Sequence, residues 1–237
     1  SNQIKSKIGI GVISDKDPQP LSFESKFGPF AIASVGLVTN KDKLVKQLIR
    51  KGISFSELDH GDINTTELVA NLINQGNSVV DGIEKMYAKI NGSISLLILT
   101  KEGIYAARDK NGVTPLIIGE NNGDIAIASE TCSFPNLGFS LKKFLEPGEI
   151  IFISKKGIES KKKGNRLNKI CAFLWIYFGY PTSYFEDINV DECRYRCGAK
   201  LARGDNLMVD YISAIPESGI GIAIGYSNEK NVPYKRA

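Results

Sequence analysis

The spacing of apolar residues changes along this chain of 237 residues, and this change constrains the fold more than any other feature. Between residues 40 and 92, apolar side chains recur every three or four positions in three segments, as in amphipathic helices. From Ser93 to residue 154 they recur at every second position in five short runs, as in strands. A block of helices with strands on both sides predicts an α+β fold built in layers.

The three predicted helices have their own start and stop signals. Asn40, Asn64 and Ser78 are suitable N-caps, and Glu67, three residues after Asn64, completes a pattern that resembles a capping box. The predicted stops are glycines: Gly52, Gly76 and Gly92.

Strands are predicted before and after the helical block. Residues 8–13 (IGIGVI) and 29–38 (PFAIASVGLV) are apolar runs bounded by glycine, proline or aspartate, which predicts a strand for each. The five runs that follow the helices predict an antiparallel meander: residues 93–100, 103–108, 115–119, 124–129 and 149–154.

A charged, glycine-containing stretch at residues 155–168 predicts a domain boundary. Beyond it we expect a strand in the aromatic segment 171–181, a helix near 191–203, and a strand that turns through residues 216–219 into another helix. The last two elements predict the opening of an α/β unit. We therefore divide the chain into a first domain, residues 1–160, and an incomplete second domain, residues 169–237.

The composition excludes several classes of protein. With 42% hydrophobic and 24% charged residues, the chain suits a globular protein with a sizeable core. Its net charge of +4 is small, and the basic cluster at residues 161–163 is interpreted as a solvated loop, so no nucleic-acid partner is expected. Four scattered cysteines, no visible signal peptide and no membrane-spanning apolar run predict a cytoplasmic protein with no membrane partner.

Arg108 and Asp109 precede an Asn111-Gly112 turn and are the most conspicuous charged pair in the chain. We interpret Arg108, Asp109 and Gly112 as a structural turn held by a partly buried ion pair, and not as catalytic residues.

Other candidate sites have simpler interpretations. Cys193 and Cys197 are one helical turn apart, but half-buried core thiols are favoured over metal ligands, and no metal site is predicted. His60 is interpreted as part of a polar loop. The aromatic residues of segment 171–181 are interpreted as a domain-interface core, with a wall that stacks on a ligand as the alternative.

Five segments, in the same order, resemble the glutamine phosphoribosylpyrophosphate amidotransferase family. They are RDKNGVTPL (108–116), ASETCS (128–133), LEPGE (145–149), CAFLWIYFGYPTS (171–183) and IPESG (215–219). The resemblance implies an N-terminal-nucleophile-type αββα sandwich in residues 1–160, a class II glutaminase-like domain, followed by the start of an α/β phosphoribosyltransferase-like domain. It also implies the family reaction of purine biosynthesis, in which ammonia from glutamine is transferred to phosphoribosyl pyrophosphate.

Two of the family's glutaminase residues have no match in this chain. The resemblance implies a free N-terminal cysteine as nucleophile, whereas this chain begins with Ser1 and has no cysteine before Cys132. It also implies an arginine that binds the glutamine carboxylate, but Gly11 is followed by Val12, Ile13 and Ser14.

Two further positions of the implied pocket also differ. The family's oxyanion turn combines an asparagine side chain with a glycine N–H, whereas Ser34-Val35-Gly36 retains only the glycine. The aspartate that binds the substrate amine matches Thr65. We therefore name no catalytic residue, keep Gly36 as a candidate residual oxyanion donor, and expect no glutaminase activity from this chain.

The resemblance also bears on cofactors and partners. Cys171 matches an iron–sulfur ligand of some family members, whose other ligands would lie further along the chain, so no cofactor is expected. The alternatives are an active amidophosphoribosyltransferase of which this chain is a part, and a non-catalytic metabolite-binding or interaction protein. The expected partners are a small-molecule metabolite and a second copy of the chain, because an incomplete domain leaves apolar surface to cover.

Overall fold

The structure, a computed structural model, describes residues 6–14, 18–56, 58–59, 61–166 and 169–236. The chain divides into two compact units. The first is formed by Ser1–Leu116 and Leu145–Lys169, and the second by Ile117–Phe144 and Ile170–Ala237. The second unit therefore includes a segment that lies, in sequence, within the predicted first domain.

The described residues form five α-helices and thirteen short or long strands. The helices are α1 (Lys41–Ile49), α2 (Thr65–Ile73), α3 (Val79–Lys89), α4 (Val190–Gly204) and α5 (Ile220–Lys230). The strands are β1 (Leu21–Phe23), β2 (Phe30–Val38), β3 (Leu58–Asp59), β4 (Asp62–Ile63), β5 (Gly92–Leu99), β6 (Ile104–Ala107), β7 (Ile117–Asn121), β8 (Asp124–Ala128), β9 (Ser140–Phe144), β10 (Ile150–Ser154), β11 (Gly157–Lys162), β12 (Tyr184–Phe185) and β13 (Ile188–Asn189).

The first unit is built on a six-stranded sheet with the order β1-β2-β5-β6-β10-β11, in which all neighbours are antiparallel. Apolar side chains of the sheet pack against the apolar faces of α1, α2 and α3 in one core. Fully buried members of this core include Ile32, Leu68, Ile83, Met86 and Ile94. The helical block predicted between residues 40 and 92 is confirmed, because its periodic apolar residues are the ones that the sheet covers.

Two of the predicted helix caps are confirmed. The Asn64 Oδ1 accepts hydrogen bonds from the N–H groups of Thr66 and Glu67, and the Ser78 Oγ accepts one from the N–H of Asp81. These side chains satisfy backbone donors that have no partner within the helix.

The side-chain cap predicted for α1 at Asn40 was wrong. Asn40 makes no side-chain cap; its amide instead donates to the carbonyl of Lys89 and accepts from the N–H of Asn91. Ile49, the last residue of this short helix, is 53% exposed, whereas Leu44, Val45 and Leu48 are buried.

The strand predicted at residues 8–13 was wrong. This segment has no regular structure, and the Ile13 side chain is fully exposed. An apolar run of this kind becomes a strand only where a neighbouring strand accepts its backbone hydrogen bonds, and β2 pairs at this level with β1 and β5 only.

The predicted single meander was also wrong. β7 and β8 leave the six-stranded sheet and form a separate three-stranded sheet in the second unit, with the order β8-β7-β9. β10 returns to pair with β6, and β11 lies within the charged stretch that was interpreted as a boundary. Its lysine-rich sequence suits the edge of a sheet, where charged side chains reach solvent.

The aromatic segment is a π-helical turn at Leu174–Phe178 and not the predicted strand. Arg194 of α4, whose side chain is buried, donates hydrogen bonds to the carbonyls of Trp175, Tyr177 and Gly179, and thereby holds the turn against α4. Trp175 is buried in a cluster with Phe185 and Val190 of the same unit, whereas Tyr177 is exposed, so this segment does not show the expected domain-interface core.

The final elements of the second unit match the sequence prediction in part. The two predicted helices are confirmed as α4 and α5, and they approach closely at Gly198, where an added Cβ would lie 1.9 Å from the carbonyl oxygen of Ile222. The strand predicted before residues 216–219 is reduced to one parallel bridge between Ile212 and Tyr234. Within the described part of the chain, no helix is long and apolar enough to cross a bilayer.

Candidate functional site

Three segments of the first unit meet beside the middle of β2, where α2 begins. They are the residues just before β1, the residues around Ser34 in β2, and the N-terminal turn of α2. The expected pocket residues Val35, Gly36 and Thr65 all lie at this junction. A network of buried polar side chains joins the three segments.

Gln19 lies at the centre of this network. Its Oε1 accepts a hydrogen bond from the Ser34 N–H at 2.8 Å, and its Nε2 donates to the Ser34 carbonyl at 3.0 Å. The Thr66 hydroxyl donates to the same Oε1 at 3.1 Å and lies 2.8 Å from the Ser34 hydroxyl. Because Thr66 uses its proton on Gln19, Ser34 is the donor between the two hydroxyls.

Asn64 extends the network to the residue before Gln19. Its Nδ2 donates to the Pro18 carbonyl at 2.9 Å, while its Oδ1 caps α2. Asn64 and Thr66 are almost completely buried, at 0% and 1% exposure. Buried polar groups of this kind are stable only when they are hydrogen bonded, and each of these side chains is.

The second half of β2 presents a glycine between two apolar side chains. Gly36 has a φ of +141°, and a Cβ at this position would lie 1.9 Å from the Ser93 carbonyl oxygen. Only glycine fits this backbone without displacing β5. Val35 and Leu37 are 45% and 67% exposed, and neither side chain can donate or accept a hydrogen bond. The strand end therefore offers a ligand backbone groups and hydrocarbon only.

Arg108 and Asp109 lie in a different part of the first unit and are more deeply buried than the sequence indicated, at 4% and 0% exposure. The Arg108 guanidinium donates to the carbonyls of Leu145 and Gly112. The Asp109 carboxylate accepts from the N–H groups of Asn111, Val113 and Thr114.

These bonds hold the turn through its backbone atoms. The Asp109 carboxylate bonds within the turn, while Arg108 also reaches the Leu145 carbonyl, and none of the bonds described reaches the junction of β2 and α2.

The remaining sequence candidates do not form a site with this junction. Cys193 is half-buried against the Trp175 cluster, and burial next to Cys197 raises the pKa of its thiol. Cys171 is also a free, half-buried cysteine. Among the described residues, no group of three or more histidine, cysteine, aspartate or glutamate side chains is placed to hold a metal ion. His60 lies outside the described residues.

Sequence reasoning missed the residues that organise the junction. In the sequence, Gln19 is only part of a Gln-Pro dipeptide, and Asn64 is only a helix cap. The one available signal was that Ser34 and Thr66 are polar residues at positions where burial favours apolar side chains. Polar side chains on elements that must pack together predict a hydrogen-bond network, but they do not show which residue connects the others.

Known proteins are similar to this chain over most of its length. The family model of the glutamine amidotransferase domain matches residues 5–136. The chain is 33% identical over 246 residues to the amidophosphoribosyltransferase of Bacillus subtilis. The aligned region covers 99% of this chain and 51% of that protein. It is 34% identical to the Methanocaldococcus jannaschii amidophosphoribosyltransferase, over 91% of this chain and 49% of that protein. The chain thus spans about half the length of the curated relatives it matches.

Solved structures show the same similarity. The glutamine phosphoribosylpyrophosphate amidotransferase from B. subtilis, complexed with ADP and GMP, superposes with a TM-score of 0.84 at 32% identity, over 93% of this chain and 48% of that one. A structure described as the allosteric regulatory enzyme of purine biosynthesis gives the same TM-score and identity over 93% of this chain and 47% of that one. The expected α+β fold of the N-terminal-nucleophile type is confirmed by this likeness.

Proposed function

The chain belongs to the family of glutamine amidotransferase domains, and on that premise we propose that it is the glutaminase-type part of an amidophosphoribosyltransferase-like protein and does not itself hydrolyse glutamine. The family reaction, amination of phosphoribosyl pyrophosphate with ammonia from glutamine, then requires partners or segments other than the pocket described here. We place the protein in the cytoplasm, in keeping with this metabolism.

The observation that carries the proposal is the side chain at position 35. Hydrolysis of an amide passes through a tetrahedral intermediate whose oxygen carries negative charge, and a glutaminase stabilises it with aligned hydrogen-bond donors. Val35 supplies hydrocarbon where a donor is needed, and it leaves the N–H of Gly36 as the candidate donor. Removal of one such donor typically lowers the rate by about a hundred- to a thousandfold.

A second substitution supports the same proposal. Thr65, the first residue of α2, carries no negative charge with which to bind the amine of an amino acid. A pocket that has neither the second donor nor the anionic contact binds the transition state of glutamine hydrolysis poorly. The two changes lie in different elements, so one local rearrangement cannot compensate for both.

Ammonia release tests the proposal directly. The purified protein is incubated with L-glutamine, with and without phosphoribosyl pyrophosphate, and ammonia is followed by a coupled dehydrogenase assay. We expect no release above the buffer control. The B. subtilis relative, assayed alongside, establishes the sensitivity of the assay. Turnover by this chain would contradict the proposal and would favour an active amidophosphoribosyltransferase of which the chain is a part.

A non-catalytic metabolite-binding protein is the second candidate function. The intact, fully hydrogen-bonded network beneath Gly36 favours it, since this network maintains the shape of the strand end without any catalytic side chain. A ligand that binds only the folded state raises the melting temperature, so a thermal shift with L-glutamine, phosphoribosyl pyrophosphate and purine nucleotides tests it. We further propose that the protein forms a homo-oligomer, which size-exclusion chromatography with light scattering measures.

A further inference from the structure

The edge of β2 changes its partner between Ile32 and Ser34. β1 pairs with the first part of β2, with Leu21 opposite Ile32, and then ends. Two residues further along β2, the Gln19 side chain occupies the position of the missing strand. It bonds to both the N–H and the C=O of Ser34, as a backbone residue of a paired strand would.

The direction of these bonds determines where the following backbone groups point. In an antiparallel sheet, both backbone groups of a residue point to one edge, and those of the next residue point to the other. Since Ser34 bonds towards Gln19, the groups of Val35 point towards β5, where Val35 lies opposite Ser95. Gly36, opposite Ile94, therefore directs its N–H and C=O to the same edge as Ser34, one step beyond Gln19.

That edge is open to solvent at Gly36. The residue is exposed, as are Val35 and Leu37 on either side. Its φ of +141° and the lack of space for a Cβ require glycine at this position. The pair of hydrogen bonds between Gln19 and Ser34 lies two residues earlier on the same edge.

We propose that Gln19 is a positioning residue that replaces a strand at this edge and directs the Gly36 N–H towards a carbonyl or carboxylate oxygen of a small ligand. This inference rests on the proposed function, because it takes the junction of β2 and α2 as the ligand site. It goes beyond that function by assigning the organisation of the site to a side chain that does not touch the ligand.

The rest of the network explains how a flexible glutamine can do this. Thr66 donates to its Oε1, and Asn64 holds the preceding carbonyl, of Pro18. Two residues at the start of α2 thus fix the segment of Gln19. Because Asn64 and Thr66 are buried, loss of one partner leaves another unsatisfied, which makes the arrangement stiff.

Amide hydrogen exchange measured by NMR on the ¹⁵N-labelled protein tests the inference. Gln19→Met keeps the length of the side chain and removes its hydrogen bonds. We expect the Ser34 amide proton to exchange at least about tenfold faster, while that of Leu97, in β5, changes much less. A purely structural role would instead accelerate both protons together. Equal acceleration of the two, or an unchanged Ser34 proton, would overturn the inference.

The Gly36 resonance provides the second measurement. We expect Gln19→Met to shift the Gly36 amide peak and to abolish the shift that L-glutamine, as the probe, causes at this peak in the unmodified protein. Gln19→Glu keeps the acceptor for the Ser34 N–H but cannot donate to the Ser34 carbonyl, so it should show an intermediate effect. Thr66→Ser retains the hydroxyl and should preserve both the peak position and the response to glutamine.

These results separate the inference from the proposed function. A Gly36 peak that does not respond to L-glutamine in the unmodified protein would overturn the ligand assignment, whatever the ammonia assay gives. Ammonia release would overturn the proposed lack of glutaminase activity, but it would leave the exchange comparison between Ser34 and Leu97 as a valid test of Gln19. If Gln19→Met fails to fold, Gln19→Glu supplies the comparison, and Thr66→Ser remains its control.

Discussion

The first unit contains two polar networks that differ in the distance along the chain between the residues they join. The Asp109 carboxylate accepts from backbone N–H groups two to five residues further along the chain, so its network closes within one turn. Gln19 bonds to Ser34 and Thr66, which are 15 and 47 residues away, so its network joins three elements. The comparison shows that one polar side chain can stabilise a local turn while another sets the geometry between elements.

The difference also bears on function. The carboxylate oxygens of Asp109 are already hydrogen bonded to backbone N–H groups of their own turn. The Gln19 network also satisfies its members, but it ends beside an exposed glycine whose backbone groups face solvent. A ligand can therefore bind beside the Gln19 network without breaking its hydrogen bonds. At Asp109 a ligand could bind only if the turn unfolded.

Asp109→Ala should have the largest effect on stability. It leaves the N–H groups of Asn111, Val113 and Thr114 without the carboxylate, and we expect the free energy of unfolding to fall by about 3 kcal/mol. Urea denaturation measures the loss. Asp109→Asn is the matched control, since it keeps one acceptor and should lose about half as much. A loss below about 1 kcal/mol in Asp109→Ala would show that the carboxylate does not hold the turn.

Thr66→Val should lower stability less than Asp109→Ala, and the contacts that it removes join different elements. Valine keeps the shape and removes the hydroxyl that contacts Gln19 and Ser34, so we expect a loss of about 1–2 kcal/mol. A double-mutant cycle with Gln19→Met should give a coupling energy of at least about 0.5 kcal/mol. Val35→Thr, at an exposed position, is the control and should change stability by less than about 0.5 kcal/mol. Additive effects of the two network variants would mean that their residues act separately.

Tyr87→Phe should have the smallest effect at neutral pH and a clear one in alkali. The Tyr87 hydroxyl is buried without a hydrogen-bond partner among the described residues, so its removal should change stability by less than about 1 kcal/mol at pH 7. Burial, and the nearby Asp109 charge, raise the Tyr87 pKa well above the usual value of 10.0.

The sign of the pH dependence follows from that shift. The folded pKa lies above the unfolded one, so stability is intact below about pH 10 and falls as pH rises further, because only the unfolded phenol ionises. Urea denaturation at pH 7 and about pH 10.5 should show a steeper loss for the unmodified protein than for Tyr87→Phe. Tyr184→Phe, which changes an exposed tyrosine, should keep the steep loss. Equal slopes for the protein and Tyr87→Phe would exclude the buried phenol as the cause.

Much of the first unit could be predicted because its signals are local. The apolar spacing of α1, α2 and α3, and the caps Asn64 and Ser78, depend on residues within one or two turns of each other. The family resemblance assigned Val35, Gly36 and Thr65 to one pocket from the residue types alone. It could not place Gln19, whose partners are contributed by β2 and α2.

The sequence by itself determined the α+β class, the helices, six of the thirteen strands and the residue types at the candidate pocket. Only the tertiary structure decided that residues 8–13 form no strand, that β10 pairs with β6 while β7 and β8 join another sheet, and that the aromatic segment is a turn held by Arg194. The physical reason is the range of the interactions. Period and caps arise from neighbours in the chain, whereas strand pairing and buried hydrogen bonds depend on which distant backbone groups arrive to satisfy one another.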